Sequence, residues 1–368
     1  MIDSRVYKIA MSSPDDMRGL DQLVSNHVID PKDVVAVLGK TEGNGCVNDF
    51  TRGFATMAFS HYLHTKTGTS IEDIKHKVAF VMSGGTEGVM SPHAVIFTSK
   101  DVKGDASHSK SFVVKSGFTR NFLPEEQGTL VMVKEVAHVV EKLMNEAGIE
   151  SVEDVHFVQI KCPLLTSERI GDAYSRKQSV VTEDTYKSMG FNRGASALGV
   201  AVALNEVKLD EIKQEDICHN WSLYSTVAST SAGIELENCE VIIMGNSKLG
   251  NGEYFIGHDV MQHSIDIQAV LRAMKNAGLE FEVLPTEKET SRIVNVFAKA
   301  ESSSHGFVLK RRTTMLTDSD INHTRQARSV VNAVIASVVQ DPMVYVSGGA
   351  EHQGPDGGGP VAVIVKLK

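Results

Sequence analysis

The chain has 368 residues, 42% of them hydrophobic and 23% charged, with a formal net charge of −9 at pH 7. This length allows two or three domains with their own cores, and the negative charge disfavours a nucleic-acid-binding surface. No stretch approaches the roughly 18 apolar residues of a membrane span, and the amino terminus lacks the basic and apolar regions of a secretory signal. We therefore expect a cytoplasmic protein with neither membrane nor nucleic-acid partners.

The first part of the chain predicts a β-α-β arrangement. A β-branched run at 34–38 precedes a Gly/Asn-rich loop at 41–49, a helical pattern at 51–65 and a second apolar run at 78–82. Short β-branched runs bounded by turn residues are typical of buried strands. These elements predict one α/β unit, which we place at residues 1–104.

The same alternation continues in two further units, at residues 111–248 and 254–368. The second unit is predicted to contain strands at 111–118 and 155–160 and helices at 129–146 and 194–207. The third is predicted to contain helices at 264–276 and 322–339 and strands at 293–298 and 343–346. Alternating strands and helices, repeated in this way, predict an α/β fold of three similar repeat domains around a pseudo-threefold axis.

A five-residue phrase, Ser-[Gly/Ala]-Gly-x-Glu, occurs once in each unit. Its copies begin at Ser83, Ser231 and Ser347. Each copy is preceded by a strand-like run that ends at a lysine, namely Lys40, Lys161 and Lys299. Between lysine and serine, each unit places an arginine near a helical segment of small residues. This repeated order predicts one site with approximate threefold symmetry, suited to a small ring that has threefold symmetry itself.

These residue types favour acyl transfer. A serine hydroxyl becomes a good nucleophile when a neighbour takes its proton, and a lysine can do so when burial or nearby positive charge lowers its pKa. The glycine-rich turn after each serine can offer backbone N–H groups as an oxyanion hole. Arginine offers forked donors to the carbonyl oxygens of a planar ligand. Duplication of a scaffold without an active site is the alternative that the repeats leave open.

Longer strings around these residues resemble the cyanuric acid hydrolase/barbiturase family. The strings are 39–49, 82–88, 159–165, 193–199 and 345–355, and the resemblance spans nearly the whole chain. It implies a central β-barrel at the pseudo-threefold axis with helices outside, and assembly as a homotetramer. It also implies hydrolytic opening of the cyanuric acid ring to carboxybiuret, which loses carbon dioxide to give biuret.

The resemblance further implies three Ser-Lys pairs around the ring, of which Ser231 with Lys161 as its base is the catalytic one. The other implied substrate-binding residues are Lys40, Arg52, Ser83, Gly84, Arg193, Ala232, Lys299, Ser347 and Gly348. The third arginine has two candidates: Arg325 follows a threonine as Arg52 does, whereas Arg328 better matches the family's spacing to the third serine. We favour Arg328 and keep both.

The resemblance implies no organic cofactor but a structural calcium or magnesium ion. Its implied ligands are Glu301, Ala350, Gln353, Gly354, Pro355 and Gly358. The loop at 350–359 is rich in backbone carbonyls, which are oxygen ligands of the kind that hard cations take.

Three competing functions stay open at this point. Barbiturase is the near alternative, because barbituric acid has the same three carbonyls and replaces one ring N–H by carbon. A non-catalytic ring-binding protein would use the same site without chemistry. A metal-dependent cyclic amidase would activate water with its ion.

Overall fold

The computed structural model describes residues 1–367 and contains three four-stranded β-sheets, one from each third of the chain. The first sheet has strands β1 (Ile2–Ala10), β2 (Val34–Thr41), β3 (Ala79–Gly84) and β4 (His93–Asp101). The second has β5 (Ser111–Phe118), β6 (Val155–Cys162), β7 (Ala228–Ala232) and β8 (Glu240–Ser247). The third has β9 (Tyr254–Met261), β10 (Ile293–Ala300), β13 (Tyr345–Gly348) and β14 (Gly359–Lys366).

The three sheets have the same strand order. The orders are β1-β4-β2-β3, β5-β8-β6-β7 and β9-β14-β10-β13. In each sheet the last two strands of the order run parallel, and the other neighbours run antiparallel. A small hairpin, β11 (Phe307–Val308) with β12 (Arg311–Arg312), lies outside the sheets.

Helices cover the outer face of each sheet. They are α1 (Arg18–Ser25), α2 (Phe50–Thr67), α3 (Ile71–Lys77), α4 (Leu130–Glu146), α5 (Ser167–Ser175), α6 (Thr185–Ala203), α7 (Ile267–Asn276), α8 (Glu287–Thr290) and α9 (His323–Val339). Three separate apolar cores lie between these helices and their sheets. The α/β class predicted from the sequence is confirmed. None of the helices between residues 1 and 367 is long and apolar enough to cross a membrane.

The inner faces of the sheets meet in a fourth apolar core. Aromatic rings join the sheets there: the ring centroid of Phe297 lies 6.1 Å from that of Phe97 and 5.6 Å from that of Phe157. The region between the three sheets is therefore filled by packed side chains, which fixes how the sheets sit against one another.

The central β-barrel predicted from the resemblance is wrong. A barrel needs a continuous ladder of paired strands, whereas regular pairing within residues 1–367 stays inside each sheet. Side chains bridge the seams, and at one seam the backbone of Ile2 also hydrogen-bonds with that of Leu249 and of Asn251. Asn246 donates to the Ile256 carbonyl at 2.8 Å and accepts from its N–H at 3.2 Å, and Ser4 Oγ accepts from the N–H of Val114.

Several element boundaries differ from the sequence prediction. The helix expected at 194–207 is α6, which begins at Thr185 because Asp184 caps its first turn by accepting from the N–H of Lys187. Strand β1 was not predicted, because it carries charged residues at an edge of the sheet. Strand β9, also at an edge, was missed as well.

Candidate active site

The predicted Ser-Lys pairs occupy the same place in all three sheets. Lys40 faces Ser83 across β2 and β3, Lys161 faces Ser231 across β6 and β7, and Lys299 faces Ser347 across β10 and β13. Directly paired residues of neighbouring strands project from the same side of a sheet. The fold therefore places each lysine beside its predicted serine.

The lysines also reach from one sheet to the next. Lys161 Nζ donates to the carbonyl of Met82, the residue before Ser83, at 2.8 Å. Lys299 Nζ donates to the carbonyl of Thr230, the residue before Ser231. Lys40 Nζ lies 5.9 Å from the ring centroid of Tyr345 instead. The three pairs consequently converge on one region between the sheets.

The pairs differ in their hydrogen bonds. Lys40 donates to Ser83 Oγ, and Lys299 donates to Ser347 Oγ, each at 3.0 Å. Ser231 Oγ is buried and has no hydrogen-bond partner among the described residues. Its lysine, Lys161, lies 3.3 Å from the carboxylate of Glu235. The implied catalytic pair is therefore the one whose serine hydroxyl is not engaged.

Burial shapes the protonation of all three lysines, which have no exposed surface. Burial lowers the pKa of Lys40 and of Lys299 well below the ordinary lysine value, and positive neighbours lower both further. Burial also lowers the pKa of Lys161, but the Glu235 carboxylate offsets part of that effect. Lysines of this kind can accept a proton near neutral pH.

Arginines and the glutamates of the repeated phrase pair between sheets. Arg328 donates to both oxygens of Glu87, at 2.8 and 2.5 Å. Arg193 donates to both oxygens of Glu351, at 2.8 and 2.7 Å. Each is a two-bond Arg-carboxylate pair, which fixes the guanidinium plane.

Arg52 departs from this pattern. Its guanidinium donates to the carbonyl of Ala232 at 3.2 Å and to that of Cys46 at 2.7 Å. Two backbone carbonyls therefore occupy the donors that the resemblance assigns to substrate oxygens. Cys46 belongs to the loop that Asp49 holds, since Asp49 accepts from the N–H groups of Gly45 and Thr51.

The structure distinguishes the two candidates for the third arginine. Arg328 is 4% exposed and makes the same type of bidentate pair as Arg193. Arg325 approaches Cys46 Sγ at 4.0 Å, and its buried Nε has no partner among the described residues. Arg328 is therefore the structural counterpart of Arg193.

The backbone after each serine turns sharply. The N–H of Gly85 donates to Thr41, and that of Gly233 donates to Cys162. Gly85 has a φ of +99°, a conformation that glycine adopts readily. A Cβ at Gly84 would lie 1.7 Å from Asp49 Oδ2, so this predicted site position has no room for a side chain. The other two predicted positions, Ala232 and Gly348, lie at the ends of β7 and β13.

The carboxylate predicted to bind a metal ion is saturated by protein donors. One oxygen of Glu301 lies 2.9 Å from His323 Nδ1 and accepts from the N–H of Ser302. The other accepts from Thr324 Oγ1 at 2.7 Å and from the N–H of Gly349 at 3.2 Å. A hard cation needs free oxygen lone pairs, and Glu301 has none in this arrangement.

The remaining predicted metal ligands belong to tight turns. The Ala350 carbonyl accepts from the N–H of Gln353 at 3.0 Å, and the Pro355 carbonyl accepts from the N–H of Gly358 at 2.8 Å. Gly354 donates its N–H to Ser225. Each of these carbonyl oxygens keeps a second lone pair, so Glu301 is the predicted ligand whose donors would have to move to admit the ion. Across residues 1–367, no group of three or more His, Cys, Asp or Glu side chains is placed to hold a metal ion.

A buried acid faces Lys161 from the neighbouring strand. Glu240 lies opposite Lys161 across β6 and β8, and its carboxylate accepts from the N–H of Phe80 at 2.8 Å. Burial raises the pKa of Glu240 to about 8, so the folded protein keeps this group largely protonated at neutral pH. In the unfolded chain it ionises near its ordinary pKa.

We expect Glu240→Gln to stabilise the fold at neutral pH. Glu240 destabilises the folded state increasingly between its unfolded pKa and about pH 8, whereas glutamine keeps the acceptor for Phe80 without ionising. The free energy of unfolding should rise by up to about 3 kcal/mol at pH 7 and change little at pH 4. Urea unfolding at both pH values measures this. An equal loss of stability at pH 4 and at pH 7 would contradict this expectation. Glu237→Gln is the matched control variant.

The glutamates of the repeated phrase were missed as site residues. Glu87, Glu235 and Glu351 were visible as the fifth position of the phrase, yet no role was predicted for them. Their recurrence at fixed spacing from the serines was the signal. The sequence could not reveal their partners, since each partner lies in a different part of the chain.

Comparison with known protein families gives one match across the chain. A family described as amidohydrolase ring-opening protein matches residues 5–366. This match covers all three sheets and every residue of the candidate site.

Curated and solved relatives agree with that match. A cyanuric acid amidohydrolase of Enterobacter cloacae is 55% identical over 368 residues, covering 99% of this chain and 100% of the relative. Barbiturase 1 of a Nocardioides strain is 45% identical over 368 residues, covering 98% of each chain. A solved cyanuric acid hydrolase superposes with a TM-score of 0.94 at 49% identity, covering 100% of both chains.

Proposed function

Because this chain belongs to the family of ring-opening amidohydrolases, we propose that it hydrolyses cyanuric acid, opening the ring to carboxybiuret, which decarboxylates to biuret. The observation that carries the proposal is the convergence of three Ser-Lys pairs from three sheets of identical strand order. Cyanuric acid offers three equivalent carbonyls to such a site.

The proposed reaction uses Ser231 as nucleophile and Lys161 as base. Neutral Lys161 takes the hydroxyl proton while Ser231 Oγ attacks a ring carbonyl, and the developing oxyanion is held by backbone N–H groups near Ala232. The ring C–N bond breaks as Lys161 returns the proton to the leaving nitrogen. Water then attacks the acyl-serine ester, with Lys161 taking its proton and passing it back to Ser231.

The other two pairs hold the ring. Ser83 and Ser347 already accept hydrogen bonds from Lys40 and Lys299, so their own hydroxyl protons can be donated to substrate carbonyls. Arg52, Arg193 and Arg328 add guanidinium groups from α2, α6 and α9. The pseudo-threefold arrangement of repeat units at 1–104, 111–248 and 254–368 is part of this proposal, and the shared strand order supports it.

The test is a parallel assay of the purified protein with cyanuric acid and with barbituric acid. Biuret release from cyanuric acid with no turnover of barbituric acid is the expected result. Turnover of barbituric acid alone would make the protein a barbiturase, to which the 45% identical relative gives some support. Tight binding of cyanuric acid without turnover would make it a ring-binding protein.

Assembly and location complete the proposal. We propose a homotetramer in the cytoplasm. Light scattering coupled to size-exclusion chromatography tests the tetramer, with a 40.0 kDa chain giving about 160 kDa as four copies. Cell fractionation tests the location.

A structural calcium or magnesium ion stays a prediction. Binding would require Glu301 to give up one of its present donors, such as His323. Elemental analysis after exhaustive chelation, with activity and melting temperature measured in parallel, decides the question. We expect chelation to leave turnover unchanged, and a loss of turnover with the fold intact would favour the metal-dependent amidase instead.

A further inference from the structure

Glu235 differs from the two glutamates at the same position of the repeated phrase. Glu87 and Glu351 each bind an arginine through two hydrogen bonds. Arg328 and Arg193 pair with the other two glutamates, so Arg52 is the remaining arginine for Glu235. Arg52 donates to two backbone carbonyls instead. The Glu235 carboxylate lies 3.3 Å from Lys161 Nζ instead, and it is the only one of the three in an ion pair with a lysine of the Ser-Lys pairs.

We propose that Glu235 is the positioning residue that makes Ser231-Lys161 the reactive pair, by orienting the Lys161 amine and stabilising its protonated form. This inference rests on the proposed function and deepens it. The sequence makes the three pairs equivalent, and the partner of the lysine distinguishes them: Lys40 and Lys299 donate to their own serines.

Glu235 is the charged partner of the buried Lys161 amine. Lys161 has no exposed surface, and its polar partners are the Met82 carbonyl and Glu235. The Glu235 side chain is 21% exposed and lines a cavity of about 640 Å³. Glu240, the acid opposite Lys161, lines the same cavity.

The charged groups around Lys161 predict how Glu235 changes the pKa of the Lys161 amine. Arg52 from α2 lowers the pKa of Lys161, Glu235 raises it, and Cys162 on the same strand raises it slightly. Glu240 faces Lys161 from β8 but is largely protonated at neutral pH. Removing the charge of Glu235 therefore lowers the pKa of Lys161 and leaves the protonated amine less stable during attack.

The proton transfers balance without any change at Glu235. Neutral Lys161 gains the proton of Ser231 as the new C–O bond forms, and it loses that proton to the ring nitrogen as the C–N bond breaks. Glu235 remains a carboxylate beside the ammonium in between, which is the role of the acid that orients a catalytic base in a three-residue arrangement.

The experiment compares wild type with Glu235→Gln in the hydrolysis of cyanuric acid across pH. We expect kcat to fall about 10- to 100-fold and the acid limb of kcat/KM to move to lower pH by about one unit. The limb moves in that direction because the amine loses its proton at lower pH when Glu235 is uncharged. A residue with a merely structural role would not move this limb.

Glu237→Gln is the matched control. Glu237 lies two residues further along, lines the same cavity and accepts from Asn121 at 3.1 Å rather than pairing with a lysine. Its variant should keep both kcat and the pH profile. Glu235→Asp keeps the charge and should retain the wild-type acid limb with an intermediate kcat.

Two results would overturn the inference. Wild-type kcat and pH profile in Glu235→Gln would do so directly. If that variant does not fold, a wild-type kcat in Glu235→Asp, whose shorter side chain draws the carboxylate away from Lys161, would do the same. An inactive wild type would instead reject the proposed function together with this inference, so the two failures are distinguishable.

Discussion

Ser231→Ala is expected to lower kcat for ring opening by on the order of 10⁴-fold or more, because the hydroxyls of Ser83 and Ser347 are held by Lys40 and Lys299. The alanine variant should fold as the wild type does, since Ser231 Oγ has no hydrogen-bond partner among the described residues. Product formation under single-turnover conditions measures the effect. Circular dichroism and the melting temperature establish that the fold is intact.

The other two serines serve as internal controls for that result. Ser83→Ala and Ser347→Ala remove one hydrogen bond each to substrate, worth about 0.5–1.5 kcal/mol, so KM should rise roughly 2- to 12-fold with a smaller change in kcat. A loss of kcat in either variant equal to that of Ser231→Ala would show that the nucleophile is assigned to the wrong pair.

Arg328→Lys is expected to lower kcat/KM roughly 100-fold, mainly through KM. Lysine cannot reproduce the two parallel bonds to Glu87, and charge-assisted hydrogen bonds contribute about 1.5–3 kcal/mol each. The guanidinium is 4% exposed, so water cannot replace the lost contacts. Steady-state kinetics with cyanuric acid measure the change.

Arg325→Lys is the comparison that resolves the two candidates. Arg325 lies one helical turn before Arg328 on α9 and pairs with no carboxylate among the described residues. Its variant should stay within about fivefold of wild-type kcat/KM. The opposite ranking, with Arg325→Lys the more damaging, would give the third substrate contact to Arg325.

The parts of the fold that follow local patterns were predictable. Strands β2, β6 and β10 are rich in apolar and β-branched residues and mostly buried, so they stand out from their surroundings. The Ser-Lys pairing was implied by the family resemblance, and the strands account for it, because a lysine at the end of one parallel strand faces the serine at the end of the next. Helix α4 was predicted to within one residue by its apolar periodicity.

What could not be predicted depends on contacts between distant parts of the chain. The sequence contains three equal glutamates, and only packing decides that Glu235 pairs with Lys161 while Glu87 pairs with Arg328. The closed barrel was wrong for a related reason. Whether edge strands of neighbouring sheets join is decided by side chains such as Asn246, which pairs with the edge backbone at Ile256.

The side-chain bridges at the seams have a consequence for how such a protein can diverge. A backbone ladder running through all three sheets would couple their registers, so that a bulge or slip in one would propagate to its neighbours. Seams made by Asn246 or Ser4 can be altered one substitution at a time. Each third of the chain can therefore accumulate substitutions around its own Ser-Lys pair. Three chemically different pairs can arise in this way while the backbone stays regular.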